Sequence, residues 1–230
     1  MTDILTAGLT ELGLDTAAAA VLERYADALL EKNKVMNLTA ITGERDVATL
    51  HLLDCAALLA QADMRGKTVI DVGTGAGFPG MVRAILEPSG RFTLLDRLGK
   101  RVDFLREDCE QLGLKNVTCV HARAEEFAAG NRERFDIATS RAVAQLNVLS
   151  ELMLPLVKVG GVFIAMKGPD ADAERTAAAN ALKKLGGQYA ETRAFTLPDG
   201  SERRLVVMKK ISQTPTVYPR NGGKIAKKPL

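Results

Sequence analysis

Hydrophobic positions along the chain follow two rhythms, and the change from one to the other near Lys67 divides it. Before that point Val21, Leu22, Tyr25, Ala26 and Leu29 recur at three- and four-residue steps behind Asp15, a candidate N-cap. Val47, Leu50, Leu53, Ala57 and Leu58 repeat the pattern after a turn-like stretch, Asn37 to Thr42. This spacing predicts amphipathic helices over a helical extension, 1–62. Beyond Lys67, short apolar runs alternate with amphipathic stretches. Strands are expected at 68–72, 91–96, 117–120, 135–139 and 162–166, with helices near 80–86, 98–112, 145–158 and 170–185. Strand alternating with helix implies a doubly wound α/β domain whose parallel strands are joined by right-handed crossovers. Two last strands, 188–196 and 204–209, flank Pro198-Asp199-Gly200. No crossover helix fits between them, so they form an antiparallel hairpin at one edge. The domain thus spans 63–211. The remaining 212–230, with Pro215, Pro219, Gly222, Gly223 and Pro229, reads as a loop-like tail, and Ala128 to Glu133 as a loose polar connector.

Composition bounds what such a chain does. With 230 residues, 47% hydrophobic and 26% charged, it suits one soluble α/β domain with a modest extension. No apolar run nears the roughly 18 residues of a membrane span, and no signal-peptide pattern opens the sequence, so a cytoplasmic monomer is expected. Three cysteines, Cys55, Cys109 and Cys119, never fall in a CxxC spacing. They read as reduced thiols, with no zinc or other metal site. The net charge of +3 is unevenly spread: from Arg203 to Leu230 there are eight cations and no acid, whereas residues 1–202 carry 23 Lys/Arg against 28 Asp/Glu, a net of −5. Such a cationic end fits either contact with nucleic-acid phosphates or a solvated tail. Arg203, Arg204, Arg220 and Lys224 are its candidate RNA-binding residues, joined by Lys100 and Arg101 at the start of a predicted helix.

The richest chemistry lies in Val69-Ile70-Asp71-Val72-Gly73-Thr74-Gly75-Ala76-Gly77-Phe78-Pro79-Gly80, an apolar strand that runs into glycines and opens a helix. In a doubly wound sheet this is where a nucleotide-like ligand lies against backbone. Asp96 ends the next strand, placed to accept hydrogen bonds from ribose hydroxyls. The glycines also satisfy GxGxxG, which keeps a nicotinamide dinucleotide open. Against it, Asp71 precedes the first glycine inside the strand, and Pro79 removes a backbone N–H from the turn that would meet a pyrophosphate. After the third strand, Ala124 can lie on an adenine ring beside Glu125, although Glu125 and Glu126 equally suit a helix N-terminus.

The loop after the fourth strand, Ser140-Arg141-Ala142, holds neither an Asn/Asp-Pro-Pro-aromatic stretch nor a cysteine nucleophile. Methylation of an exocyclic amine or of pyrimidine C5 is therefore disfavoured. An acceptor with a free lone pair, such as guanine N7, needs no general base, only alignment. Arg141, Lys167 and His51 are the candidate catalytic or positioning residues, with Arg141 also able to touch the cofactor. His51 and Asp54 share one helix face and read equally as a local hydrogen bond.

Taken in order, Asn37-Leu38-Thr39-Ala40, His51-Leu52-Leu53-Asp54, the block from Asp71 to Gly80, Leu94-Leu95-Asp96, Gly99-Lys100-Arg101, Arg123-Ala124-Glu125, Ser140-Arg141-Ala142, Lys167-Gly168 and Tyr218-Pro219-Arg220 give a chain that resembles the bacterial 16S rRNA guanine-N7 methyltransferases of the GidB type. The resemblance implies a Rossmann-like class I methyltransferase with a seven-stranded, mostly parallel sheet. It implies S-adenosylmethionine as donor, bound at Gly73, Phe78, Ala124, Glu125 and Arg141, to which the glycine loop and the strand-end acid add Gly75, Gly77 and Asp96, and a guanine in the decoding-region loop of 16S rRNA, free or in the small subunit, as acceptor. An oxidoreductase using NAD(P), or a non-catalytic RNA-binding protein on the same fold, are the competing readings.

Overall fold

A computed structural model describes residues 1–60, 62–141, 143–197 and 200–230, with the backbone alone for 58–60. Ala142, the Leu58 side chain and the Pro198-Asp199 half of the expected turn lie outside the described residues.

Strands β1 (Thr68–Val72), β2 (Arg91–Asp96), β3 (Val117–His121), β4 (Phe135–Arg141), β5 (Val157–Lys167), β6 (Gly187–Thr196) and β7 (Glu202–Lys210) form one sheet in the order β3-β2-β1-β4-β5-β7-β6. β1 to β5 are parallel, and β7 runs antiparallel to both β5 and β6. The expected hairpin is present, but its second strand lies inside the sheet and its first forms the edge. β1 is central because Val69, Ile70 and Val72 are buried and helices cover both faces. The order reverses between β1 and its neighbours β2 and β4, and that switch opens a crevice at the strands' carboxyl ends.

One face carries the extension. Helix α1 (Thr2–Glu11) packs on α2 (Ala19–Met36), which in turn packs over α5 (Gly80–Leu86) and α6 (Gly99–Leu112), so that Leu22, Tyr25 and Leu29 share a core with Phe78, Met81 and Leu105. Burying each of these side chains contributes about 1.5–3 kcal/mol, which welds the extension to the glycine loop. The amphipathic stretch after Asn37 is one helical run of three parts: α3 (Glu44–Asp46), a π-helical segment over Val47–Leu53, and α4 (Asp54–Ala60). A uniform 3.6 period misses that wider turn, which holds His51. On the other face α7 (Ala124–Gly130), α8 (Leu146–Met153), α9 (Ala171–Ala177) and α10 (Ala179–Leu185) enclose Leu149, Leu154, Phe163 and Leu182.

Three expectations need correction. The helix expected over 145–158 stops at Met153, passes through a 3-10 turn containing Pro155 and becomes β5, because proline cannot continue the helical ladder. The helix expected over 170–185 breaks at Ala178, whose N–H is shared between the carbonyls of Glu174 and Arg175 at 3.0 and 3.2 Å. The chain end is not a loose tail. Arg132 donates to the carbonyls of Thr214 and Tyr218 at 2.5 Å, and Arg220 forks onto the fully buried Glu151 through Nε and Nη2 at 2.8 and 2.6 Å. Asn221 then caps a short helix, α11 (Gly222–Lys227), that buries Ile225. The same contacts fix the connector after α7, where Ala128 is buried and Glu133 accepts from the Thr214 N–H at 3.0 Å.

Candidate functional site

The turn after β1 is built by its own acid. Asp71 Oδ2 accepts from Thr74 Oγ1 at 2.7 Å and from the Gly80 N–H at 2.8 Å, while burial pushes its carboxyl pKa up. Asp71 is therefore a brace inside the loop. Gly73 and Gly75 take φ of +71° and +61°, a conformation that side chains rarely adopt. A Cβ on Gly73 would also lie 2.6 Å from Val143. Asp96, 3% exposed, accepts from the Gly75 N–H through Oδ2 and from the Leu98 N–H through Oδ1, both at 2.9 Å. A cavity of about 130 Å³ lies here, bounded by Gly73, Asp96, Ala124, Glu125 and Val143.

The start of α5 is closed to a pyrophosphate. Pro79 has no N–H, and those of Gly80 and Met81 are held by Asp71 Oδ2 and the Gly77 carbonyl at 2.8 and 2.7 Å. This argues against the dinucleotide reading more directly than the glycine spacing does. Gly77 faces inward: a Cβ there would meet the Tyr25 hydroxyl at 2.6 Å and Leu105 at 2.9 Å, so its expected place in a ligand cradle gives way to helix packing.

A second, larger cavity of about 530 Å³ adjoins the carboxyl ends of β4 and β5, lined by His51, Asp54, Arg141, Lys167 and Arg203 among others. The three candidate positioning residues thus converge from a π-helical turn and two strands. Phe78 is the platform under two of these residues: its ring stacks on His51 with centroids 4.6 Å apart and carries the Arg141 guanidinium at 4.8 Å. The Phe78 ring is buried in that stack. Arg141 Nη2 lies 3.2 Å from His51 Nδ1, and His51 Nε2 lies 2.8 Å from Thr39 Oγ1. A guanidinium only donates, so Nδ1 accepts and the proton sits on Nε2, donated to Thr39. Burial and then Arg141 push the imidazole pKa down to about 4, which keeps the ring neutral. Thr39 is held in turn by Asn33, whose Oδ1 accepts from the N–H groups of Leu38 and Thr39 at 2.6 and 2.9 Å.

Lys167 is not a free ammonium. It donates to the Ala144 carbonyl and to Glu174, both at 2.6 Å, and is 8% exposed. Arg101 lies 3.9 Å from Asp96, whereas Lys100 is exposed. Within the cationic end, Arg203 pairs with Asp54, Arg204 with Asp172, Lys210 with Glu133 and Arg220 with Glu151. Arg220 is thereby a structural clamp. Lys224, Lys227 and Lys228 line a groove of about 450 Å³ at the surface. Among the described residues no cluster of His, Cys, Asp or Glu is placed to hold a metal ion, and no helix is long and apolar enough to cross a membrane.

Sequence reasoning missed Tyr25, whose hydroxyl donates to the Ala76 carbonyl at 2.7 Å, the Asn33–Thr39 support of His51, and the joining of Asp54 to Arg203. The last pair is 149 residues apart, so no local spacing announces it. The second left one signal, the Asn37-Leu38-Thr39-Ala40 block, which carries the hydroxyl but not its role.

Comparison with known proteins places these cavities in context. Residues 18–206 match the family described as GidB, rRNA small subunit methyltransferase G. The chain is 47% identical to ribosomal RNA small subunit methyltransferase G of Alkaliphilus metalliredigens over 99% of this chain and 98% of that one. With the protein of the same name from Halalkalibacterium halodurans the figures are 46%, 96% and 96%. Among solved structures, TYW2 of M. jannaschii in complex with AdoMet has a TM-score of 0.57 at 13% identity over 75% of this chain and 80% of that one. TrmN of Thermus thermophilus has 0.56 at 23%, over 70% and 49%. At such identities the two structures speak to the fold.

Proposed function

Because the chain belongs to the rRNA small subunit methyltransferase G family, we propose that it methylates N7 of a guanine in the decoding-region loop of 16S rRNA, using S-adenosylmethionine. The observation that carries this reading is the presence of two cavities at the carboxyl ends of the parallel strands, a glycine-walled one beside a buried carboxylate and an arginine-lined one whose Arg141 rests on the Phe78 ring. The residues present fit the donor. Gly73 leaves room where any side chain would meet Val143, and Asp96 ends β2 with a carboxylate that can take ribose hydroxyls at the lone pairs not used by Gly75 and Leu98. Ala124 and Glu125 face the same cavity for an adenine, and Gly75 and Arg101 adjoin its Asp96.

When bound, the donor supplies a methyl carbon to which the N7 lone pair bonds as the carbon–sulfur bond breaks and its electron pair stays on sulfur. Guanine N7 carries no proton to remove, so the chain needs no general base. The neutral, fully hydrogen-bonded His51 is suited to holding Arg141 rather than to proton transfer, and Arg141 to orienting the acceptor through O6 or its phosphate. Lys167, tied to Glu174, keeps the cavity wall in place. Lys100, Arg204 and Lys224 to Lys228 lie outside this cavity and serve longer-range attraction of RNA. The test is transfer of labelled methyl to subunits lacking the modification, with the product read by mass spectrometry. Formation of 7-methylguanosine at one nucleotide is expected; no transfer, or transfer to another atom, refutes the reading.

A further inference from the structure

From the geometry of the larger cavity we infer that Asp54 is the residue that selects guanine, by accepting hydrogen bonds from its N1–H and 2-amino group. This rests on the proposed guanine-N7 reaction and names its specificity determinant. Asp54 is 3% exposed yet borders the cavity, so its carboxylate meets the outside only through that space. Two arginines from different strands hold it: Arg203 Nε touches Oδ1 at 3.2 Å and Arg141 Nη1 approaches Oδ2 at 3.5 Å. Neither arginine forks across both oxygens. Each oxygen has two lone pairs, so each keeps one after these contacts.

The other charged groups around the cavity cannot do this work. Lys167 is neutralised by Glu174, His51 has both nitrogens committed, and the arginines only donate. Asp54 is thus the lone carboxylate lining the space among the described residues, and an ionised carboxylate only accepts. Of the four RNA bases, guanine alone presents two adjacent donors on its pairing edge. Adenine, cytosine and uracil each offer one donor there, next to an acceptor that a carboxylate repels. Gripping guanine at N1 and N2 leaves N7, on the imidazole ring, untouched for reaction. Burial pushes the Asp54 pKa up and the two arginines oppose it, and they leave the cavity with one net positive charge for the nucleotide's phosphate.

The test uses small subunits reconstituted with 16S RNA in which the methylated guanosine is replaced by inosine, which lacks only the 2-amino group. Wild-type enzyme is expected to favour guanosine over inosine by about tenfold to a hundredfold in kcat/KM, the range for one hydrogen bond to a charged group. In Asp54→Asn that preference should collapse to near one, with donor Kd within about twofold of wild type, whereas a purely structural ion pair would alter stability without moving the ratio. A wild-type ratio near one, with 7-methylguanosine still formed efficiently, overturns the role of Asp54 alone and does not depend on the variant folding. An unchanged ratio in a folded Asp54→Asn overturns it as well. Absence of 7-methylguanosine with wild-type enzyme removes the reaction itself, and the assignment with it.

Discussion

Arg141 and His51 lie against one ring, Phe78, and meet each other at 3.2 Å, so a residue of β4 is positioned by a residue of the N-terminal extension 90 positions earlier. Burial first and then this contact keep the imidazole neutral, and this has a consequence for stability. His51 is neutral down to about pH 4 when folded and ordinarily titrates near 6.5. Between those values the unfolded chain binds the extra proton, so the stabilisation is complete above pH 6.5 and is lost as pH falls toward 4, by up to about 3 kcal/mol. Chemical denaturation at pH 7 and pH 4.5 should show this drop, and His51→Asn should flatten it. Parallel curves for the two proteins would mean the ring titrates normally.

Asp108 tilts the balance the other way. Burial raises its pKa to about 7, and neither carboxylate oxygen has a hydrogen-bond partner in the structure. The folded state keeps a proton that the unfolded chain releases above 3.8, so this group costs stability progressively as pH rises to 7. Asp108→Asn should therefore gain stability at pH 8 relative to wild type, by on the order of 1–3 kcal/mol. The gain should shrink at pH 5, and equal differences at both pH values would count against a raised pKa.

Gly73 tests the donor cavity. Gly73→Asp combines a positive φ with a side chain aimed at Val143, so the melting temperature should fall by a few degrees and donor binding to the folded variant should weaken by more than about 2 kcal/mol in calorimetry. Wild-type affinity in this variant would displace the site.

Tyr25→Phe removes one hydroxyl from a wholly buried ring and leaves the Ala76 carbonyl without its donor. A loss of about 1 kcal/mol in stability is expected, together with weaker donor binding, because Ala76 lies within the glycine turn. An effect on stability alone would confine Tyr25 to packing.

The basic end divides into clamp and surface. Neutralising Lys224, Lys227 and Lys228 to Gln should reduce the salt dependence of RNA binding, with a slope change of about 0.9 or less per lost phosphate contact, and leave folding intact. Arg220→Ala should instead destabilise by about 3–5 kcal/mol, because it strands the buried charge of Glu151. An unaltered slope in the lysine variant would leave those lysines as solvated surface.

The order of elements was legible from sequence because each rests on local periodicity: β1, β2 and α5 begin and end where the apolar runs and glycines say. The glycine turn and Asp96 were legible for the same reason, since their geometry needs particular residues at fixed short spacing. What only tertiary structure decided is which charges meet. Asp54 finds Arg203 across 149 residues, Arg220 is taken from the RNA-facing set by Glu151, and Lys167 is closed off by Glu174. Such pairings depend on desolvation and on the packing of distant elements, and neither leaves a periodic trace along the chain. A residue's chemistry is local, but its freedom to act belongs to the fold.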